Sequence, residues 1–162
     1  MKKFVLVLTL LTLSACNSSL TSTDEVPHDK PQLTLSQEEK WNKMVGKWYG
    51  KQTVKGGGKR QWIVERKKDG TYKIHFRIHK ENGKISESSE VGQWAISGPV
   101  YLSMFRGYIR DNEIDPVDPS DPYNYDAYEI LELNEEIFKY RHYELNATYT
   151  LKKVAEDFKF PE

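Results

Sequence analysis

Beyond its amino-terminal part, the chain alternates apolar and polar residues with a period of two. The clearest case is Tyr72, Ile74, Phe76 and Ile78, which alternate with basic and imidazole side chains. Because successive side chains of a strand point to opposite faces, this pattern predicts strands with one apolar face. The predicted strands cover residues 47–55, 59–67, 71–79, 85–97, 100–109, 124–133, 137–145 and 147–154.

Glycine and Asx residues occupy most of the short connections between these strands, and they supply the positive φ that tight hairpins need. The predicted turns are Gly56-Gly57-Gly58, Asp69-Gly70, Glu81-Asn82-Gly83, Ser97-Gly98-Pro99, Asn134-Glu135 and Asn146-Ala147. Gly92 interrupts the long fourth strand at a point where a barrel can bend sharply. Eight consecutive strands joined mainly by hairpins predict an all-β fold, an eight-stranded antiparallel up-and-down β-barrel.

A short helix is predicted directly before the first strand. Ser36 and Glu39 have the spacing of a capping box, which marks a helix start. Trp41, Met44 and Val45 follow at helical spacing and form one apolar face. The glycine after Val45 ends the pattern, so the helix has only two to three turns and depends on packing against the barrel.

The first 15 residues have the pattern of a secretory signal peptide, with Lys2 and Lys3 followed by an apolar stretch. This stretch is shorter than the roughly 20 residues that cross a bilayer. The sequence Leu-Ser-Ala before Cys16 resembles the lipobox of bacterial lipoproteins. The resemblance implies cleavage before Cys16, attachment of diacylglycerol to its thiol and acylation of the new amino end. Several acyl chains together give a stable membrane anchor.

The chain therefore divides into a lipoprotein signal peptide (1–15), a lipidated cysteine with a flexible linker (16–34) and a barrel domain (35–162). The linker is rich in Ser, Thr, Asp and Pro and carries no apolar repeat. Asn17 directly after the cysteine favours, by the sorting rule of enteric-type bacteria, an outer-membrane location with the domain facing the periplasm. Cys16 is the only cysteine, so we expect no disulfide.

Charge and motifs exclude several function classes. The chain balances 24 basic against 24 acidic residues and shows no clustered basic face, which argues against nucleic-acid partners. No pattern specifies a nucleophile with a base, a carboxylate pair or a phosphate loop that leads into a helix. We therefore expect a non-enzymatic protein with no catalytic residues and no cofactor.

Gly46-Lys47-Trp48-Tyr49, placed between the helix and eight strands, resembles the lipocalin or calycin superfamily over residues 36–154. The resemblance implies a barrel that carries small hydrophobic molecules, and some bacterial members are outer-membrane lipoproteins. It also implies that Gly46 and Trp48 form the barrel-floor motif. The family often packs an arginine from the last strand over this tryptophan, and Lys152 and Lys153 occupy the matching region here.

Aromatic residues on the predicted strands are candidates for the ligand site, because Tyr and Trp offer flat apolar walls with one polar edge. The candidate ligand-binding residues are Trp62, Tyr72, Phe76, Trp94, Tyr101, Phe105, Tyr128 and Tyr140, and Tyr149 belongs to the same set. Two interpretations remain open at this point. The aromatic residues either line a cup for a small apolar or amphipathic ligand, or simply fill the barrel.

The connection 111–122 is the only long one, and its three Asp-Pro steps favour an extended path along the surface. It suggests an alternative function, in which a filled barrel docks through this loop onto an envelope protein as an inhibitor or assembly accessory. The acidic spacing of the loop does not match a calcium loop. His75 and His79 lie about 13 Å apart on one strand, so we expect no metal site. The basic row containing them could instead hold an anionic head group or polymer.

Overall fold

The computed structural model describes residues 35–54 and 57–161. The predicted signal peptide, Cys16 and the linker lie outside the described residues. Within them, one helix precedes a series of strands, and the predicted all-β class is confirmed. The elements are α1 (Gln37–Met44), β1 (Gly46–Thr53), β2 (Lys59–Arg66), β3 (Thr71–His79), β4 (Ile85–Ser97), β5 (Val100–Arg110), β6 (Glu113–Pro116), a 3₁₀ turn (Pro122–Asn124), β7 (Tyr125–Leu133), β8 (Ile137–His142) and β9 (Thr148–Val154).

Eight antiparallel strands close into a barrel, as predicted. Going round the ring, β4, β3, β2, β1, β9, β8, β7 and β5 are neighbours, and β4 also pairs with β5. Closure gives each of these strands two neighbours, which removes free sheet edges. The short strand β6 stands outside the ring and pairs with the second half of β5.

The strand β6 corrects the prediction of a purely extended connection over 111–122. Asp111 and Asn112 both have positive φ, of 50° and 64°, and turn the chain back on β5. Two positive φ values in succession are the geometry of a tight type I′ hairpin. The Asp-Pro steps begin only after this turn, so their extended character did not prevent β6 from pairing.

Strand β8 is shorter than the predicted 137–145 because His142 ends it. The backbone N–H groups of Glu144 and Leu145 donate to His142 Nδ1, each at 3.1 Å, and turn the chain out of the sheet. Asn146 completes the turn with a φ of 52°. The turn therefore begins inside the predicted strand.

Helix α1 covers one end of the barrel. The predicted capping box is present, with the Ser36 side chain accepting from Glu39 N–H and the Glu39 side chain accepting from Ser36 N–H. Trp41 stacks on Trp94 with ring centroids 4.2 Å apart. Lys40 is buried and donates from Nζ to Gly98 O at 3.0 Å. We call the end under α1 the closed end.

Trp48 forms the floor of the barrel at the closed end. Its side chain is fully buried, and its Nε1–H donates to Met44 O at 2.9 Å. Lys153 Nζ lies 5.3 Å from the centre of the Trp48 ring and donates to Lys43 O at 3.2 Å. Of the two lysines considered for this position, Lys153 therefore packs against the floor tryptophan.

Directly above the floor, stacked aromatic rings fill the lower part of the barrel interior. Phe138 stacks on Tyr140, and Tyr140 stacks on Tyr149, with centroid distances of 4.5 Å and 5.3 Å. Tyr101 stacks on Tyr128 at 5.3 Å. The lower part of the barrel is consequently a packed aromatic core rather than a cavity.

The C-terminal segment after β9 lies against the outer face of β1 and β3. Phe158 packs against Tyr49 with ring centroids 5.2 Å apart. Phe160 meets His75 at 5.2 Å, and the Arg77 guanidinium lies 4.6 Å from its ring. The basic row considered as a site for an anionic head group or polymer therefore lies outside the barrel, and this segment partly covers it.

Candidate functional site: a cup at the open end of the barrel

The end of the barrel opposite α1 contains a cup of 250 Å³. At about 30 Å³ per water molecule, this volume holds about eight waters or a ligand of one or two rings. Its residues come from the strand ends farthest from α1 and from the turn after β8. They are Arg60, Trp62, Ile74, Phe76, Asp126, Tyr128, Tyr140, His142, Leu145 and Tyr149.

Aromatic rings form the walls of the cup. Tyr128 meets Tyr140 edge to face at 5.0 Å, and Trp62 meets Tyr149 edge to face at 6.1 Å. Gly50 makes the position of Trp62 possible, because a Cβ there would lie 2.3 Å from the indole ring. A larger residue at 50 would push this ring away from β1.

Half of the eight predicted ligand-binding residues line the cup. These are Trp62, Phe76, Tyr128 and Tyr140, and Tyr149 joins them. Their predicted role in binding remains a prediction, but the structure brings them to one solvent-connected site.

The other four predicted ligand-binding residues lie elsewhere. Tyr72, Trp94 and Tyr101 are buried towards the closed end, where Trp94 donates to Lys67 O and Thr71 O. Phe105 is half-buried and packs against Tyr108 at 4.9 Å. Alternation along a strand shows which face a residue occupies. Whether an inward-facing residue lines the cup depends on its depth along the barrel axis, which alternation does not show.

Sequence reasoning missed the polar residues of the cup. His142 Nδ1 accepts the two backbone hydrogen bonds of the turn after β8, so its Nε2 carries the proton and donates to Asp126 Oδ1 at 3.1 Å. The exposed Leu145 of the same turn borders the cup with 69 % of its surface accessible. The sequence signal that could have located these residues is Asn146. Its positive φ completes the turn after β8, and this turn brings His142 and Leu145 to the rim of the cup.

Arg60 is the basic side chain of the cup. Its guanidinium lies 4.2 Å from the centre of the Phe76 ring and 6.0 Å from that of Trp62. Its Nε is buried and has no hydrogen-bond partner among the described residues. No carboxylate of the described residues lies within salt-bridge distance of it.

Burial shifts the titration of several groups inside the barrel. Desolvation raises the pKa of the Glu90 carboxyl, and the charge of Arg60 partly opposes this shift. Desolvation also raises the pKa of Tyr72 to about 12 and raises the pKa values of Tyr128 and Tyr140. Tyr128 and Tyr140 are therefore neutral at physiological pH and can both donate and accept hydrogen bonds.

Two larger depressions lie on the outside of the barrel. They have volumes of 760 Å³ and 570 Å³ and are bordered by the outer faces of β1–β3 and by the C-terminal segment. Their walls carry many lysine side chains and are open to solvent. We place the candidate site in the cup because aromatic side chains dominate its walls, as they do in many ligand sites.

The histidines considered for metal binding have other partners. His75 Nε2 lies 3.3 Å from Glu87 Oε2, and His79 Nε2 lies 3.1 Å from Gln61 Oε1. Within residues 35–54 and 57–161, no group of three His, Cys, Asp or Glu side chains is placed to hold a metal ion. No helix in the same residues is both long and apolar enough to cross a membrane.

The closed eight-stranded ring, the helix before β1 and the buried Trp48 at the closed end define a lipocalin-like β-barrel. A lipocalin-like protein from Bacteroides uniformis is similar in structure, with a TM-score of 0.40 and 12% identity over 69% of this chain and 99% of that one. No protein-family model and no curated protein matches the sequence.

Proposed function

We propose that the protein is a lipid-anchored envelope lipoprotein whose barrel binds a small apolar or amphipathic ligand in the cup. The observation that carries this proposal is a solvent-connected cup of 250 Å³ with aromatic walls. Leu145 at its rim supports it, because this apolar side chain is 69 % exposed and a ligand would cover it.

Binding in the cup is passive and depends on burial of apolar surface. Each buried methylene contributes about 0.8 kcal/mol, so a ligand of one or two rings is held by several kcal/mol. The packed aromatic core beneath Tyr140 leaves no room for a long chain to descend towards Trp48. The proposed ligand is therefore small, or it leaves part of its length in solvent.

Titration with a neutral fluorescent probe tests the proposed function. All described elements lie after residue 36, so a soluble form that begins at Asn17 retains the barrel and avoids detergent, which would occupy the cup. We expect 2-naphthalenemethanol to bind this form. Ile74→Phe places an additional ring in the cup and should weaken binding about tenfold, whereas Ile114→Phe adds the same ring on the exposed β6 and should not.

Native mass spectrometry of the same form, purified gently from a bacterial envelope, gives an independent test. A small molecule that co-purifies with the wild type but not with Ile74→Phe would identify the natural ligand class. Absence of a co-purifying molecule together with absence of probe binding would contradict the proposed function.

The anchor is proposed from the sequence around Cys16, which the structure does not describe. Cys16→Ala removes the only thiol that can accept the lipid. We expect the wild type in the outer-membrane fraction of a bacterial host and the variant outside it. An unchanged distribution would contradict the anchor without affecting the ligand proposal.

A second candidate function is docking onto an envelope protein through the β5–β6 hairpin. One edge of β6 faces no other strand among the described residues, and free strand edges can pair with a partner chain. Ile114 of β6 is 60 % exposed, and Tyr123 of the following 3₁₀ turn is 91 % exposed. A photocrosslinker at position 114 should capture a partner in the envelope if docking occurs, whereas one at Lys139 on the outer face of β8 should not.

A further inference from the structure

The Arg60 guanidinium is incompletely partnered within a ligand-sized cup. It lies 4.2 Å from the centre of the Phe76 ring in the aromatic wall, and its buried Nε has no acceptor among the described residues. A buried donor of a charged group that makes no hydrogen bond is costly. A bound group with acceptor oxygens would supply the hydrogen-bond acceptors that the residues around Arg60 do not provide.

The charges around the cup also favour an anion. The Asp126 carboxylate at the rim is already bonded to His142 at 3.1 Å. Burial disfavours the charged form of Glu90, which is the carboxylate that interacts with Arg60. A second guanidinium, that of Arg66, lies deeper in the barrel, and the charges of both arginines act on Tyr140. The interior therefore presents more unneutralised positive than negative charge.

We propose that the ligand of the cup carries a carboxylate or similar oxyanion, which pairs with Arg60 while a flat apolar part lies against the aromatic wall. The planar fork of a guanidinium suits two oxygens of one such group. This inference rests on the proposed function and specifies the ligand class. The anion can belong to a free small acid or to the head of a longer amphiphile whose tail extends into solvent.

A matched pair of probes tests the charge preference directly. 2-Naphthoate and 2-naphthalenemethanol share the same rings and differ in charge, and both are titrated into the soluble form beginning at Asn17. We expect 2-naphthoate to bind about tenfold more tightly, which is about 1.4 kcal/mol. Arg60→Met should remove this preference, because Met retains apolar contact with Phe76 but offers no charge to the carboxylate.

Two further variants separate the role of Arg60 from net charge and from folding. Lys139→Met removes one positive charge from the exposed outer face of β8 and should retain the full preference. Arg60→Lys keeps the charge but loses the planar fork, so an intermediate preference is expected. It also gives an interpretable result if Arg60→Met fails to fold.

Each outcome of the titrations bears on a different statement. Equal binding of both probes by the wild type would overturn the anion assignment and leave the proposed function intact. A preference that persists in Arg60→Met would overturn the role of Arg60. Binding of neither probe would overturn the proposed function and this inference with it. Displacement of 2-naphthoate by dodecanoate but not by benzoate would indicate an amphiphile head, and the reverse would indicate a free small acid.

Discussion

Replacement of Arg66 by methionine should increase the free energy of unfolding. Arg66 is only 2 % exposed at the core of the barrel. Its Nη2 donates to the Tyr101 hydroxyl at 3.1 Å, but its Nε and Nη1 have no partner among the described residues. The guanidinium lies 5.0 Å and 5.3 Å from the Tyr101 and Phe138 rings.

The magnitude follows from comparing what the substitution removes. Loss of the hydrogen bond to Tyr101 costs about 1 kcal/mol, and loss of desolvated cation–π contacts costs about 2 kcal/mol. Removal of the two buried donors without acceptors stabilises the variant by about 1–3 kcal/mol each. Removal of the buried charge also relieves a desolvation cost of several kcal/mol. Replacement of incompletely paired buried charges by apolar side chains of similar volume is often stabilising by about 1–4 kcal/mol.

Urea unfolding of the soluble form measures the change. With a denaturant slope of about 1–3 kcal/mol per molar urea, we expect the midpoint of Arg66→Met to rise by about 1 M. Arg141→Met is the matched control, because Arg141 forms an exposed ion pair with Glu129 on the outer face. Its stability should change by less than about 1 kcal/mol.

A loss of more than about 1 kcal/mol in Arg66→Met would refute the reasoning. It would show that Arg66 is fully paired in solution, through internal water or an ion. A gain would show that the barrel keeps this arginine at a cost to stability.

Three further predictions concern the wall, the outer face and the interior carboxyl. Gly50→Ala should destabilise the domain by about 1–3 kcal/mol and change the near-ultraviolet circular dichroism, because the new Cβ overlaps the Trp62 ring. Phe158→Ala should lower the free energy of unfolding by about 1 kcal/mol, since the half-buried ring leaves Tyr49 uncovered; an unchanged urea midpoint would show that this contact is absent in solution. Glu90 has a raised pKa in the folded state, so the folded form holds its proton more tightly and stability falls as pH rises from the ordinary carboxyl pKa through the raised value. Glu90→Gln should therefore flatten that decline, and an equally steep decline in the variant would contradict the assignment.

Local patterns accounted for most secondary structure. The capping box of Ser36 and Glu39 is formed as its spacing predicts, and the positive φ of Gly70 and Gly83 marks two of the predicted turns. The hairpin at Asp111 and Asn112 was missed because the Asp-Pro steps that follow dominated the interpretation. Both outcomes come from short-range backbone preferences, which act within a few residues.

The position of the cup could not be derived from the same patterns. Tyr101 and Tyr128 both point inward and stack on each other at 5.3 Å, yet only Tyr128 lines the cup. The difference is depth along the barrel axis, which depends on how strands far apart in sequence are aligned. Arg60 was overlooked because a basic residue near a strand end is usually solvated.

The sequence by itself determined the class of fold, the order of the ring strands and the capped helix, because alternation and turn chemistry are local properties of the chain. Only the tertiary structure decided which face of Trp62-Ile63-Val64 points inward. Pairing of Gly50 with Trp62 and of Trp48 with Val64 places both partners of each pair on the interior face. Closure between β1 and β9, the first and last strands of the ring, then sets the depth of every inward side chain. This non-local alignment separates the packed aromatic core from the cup above it.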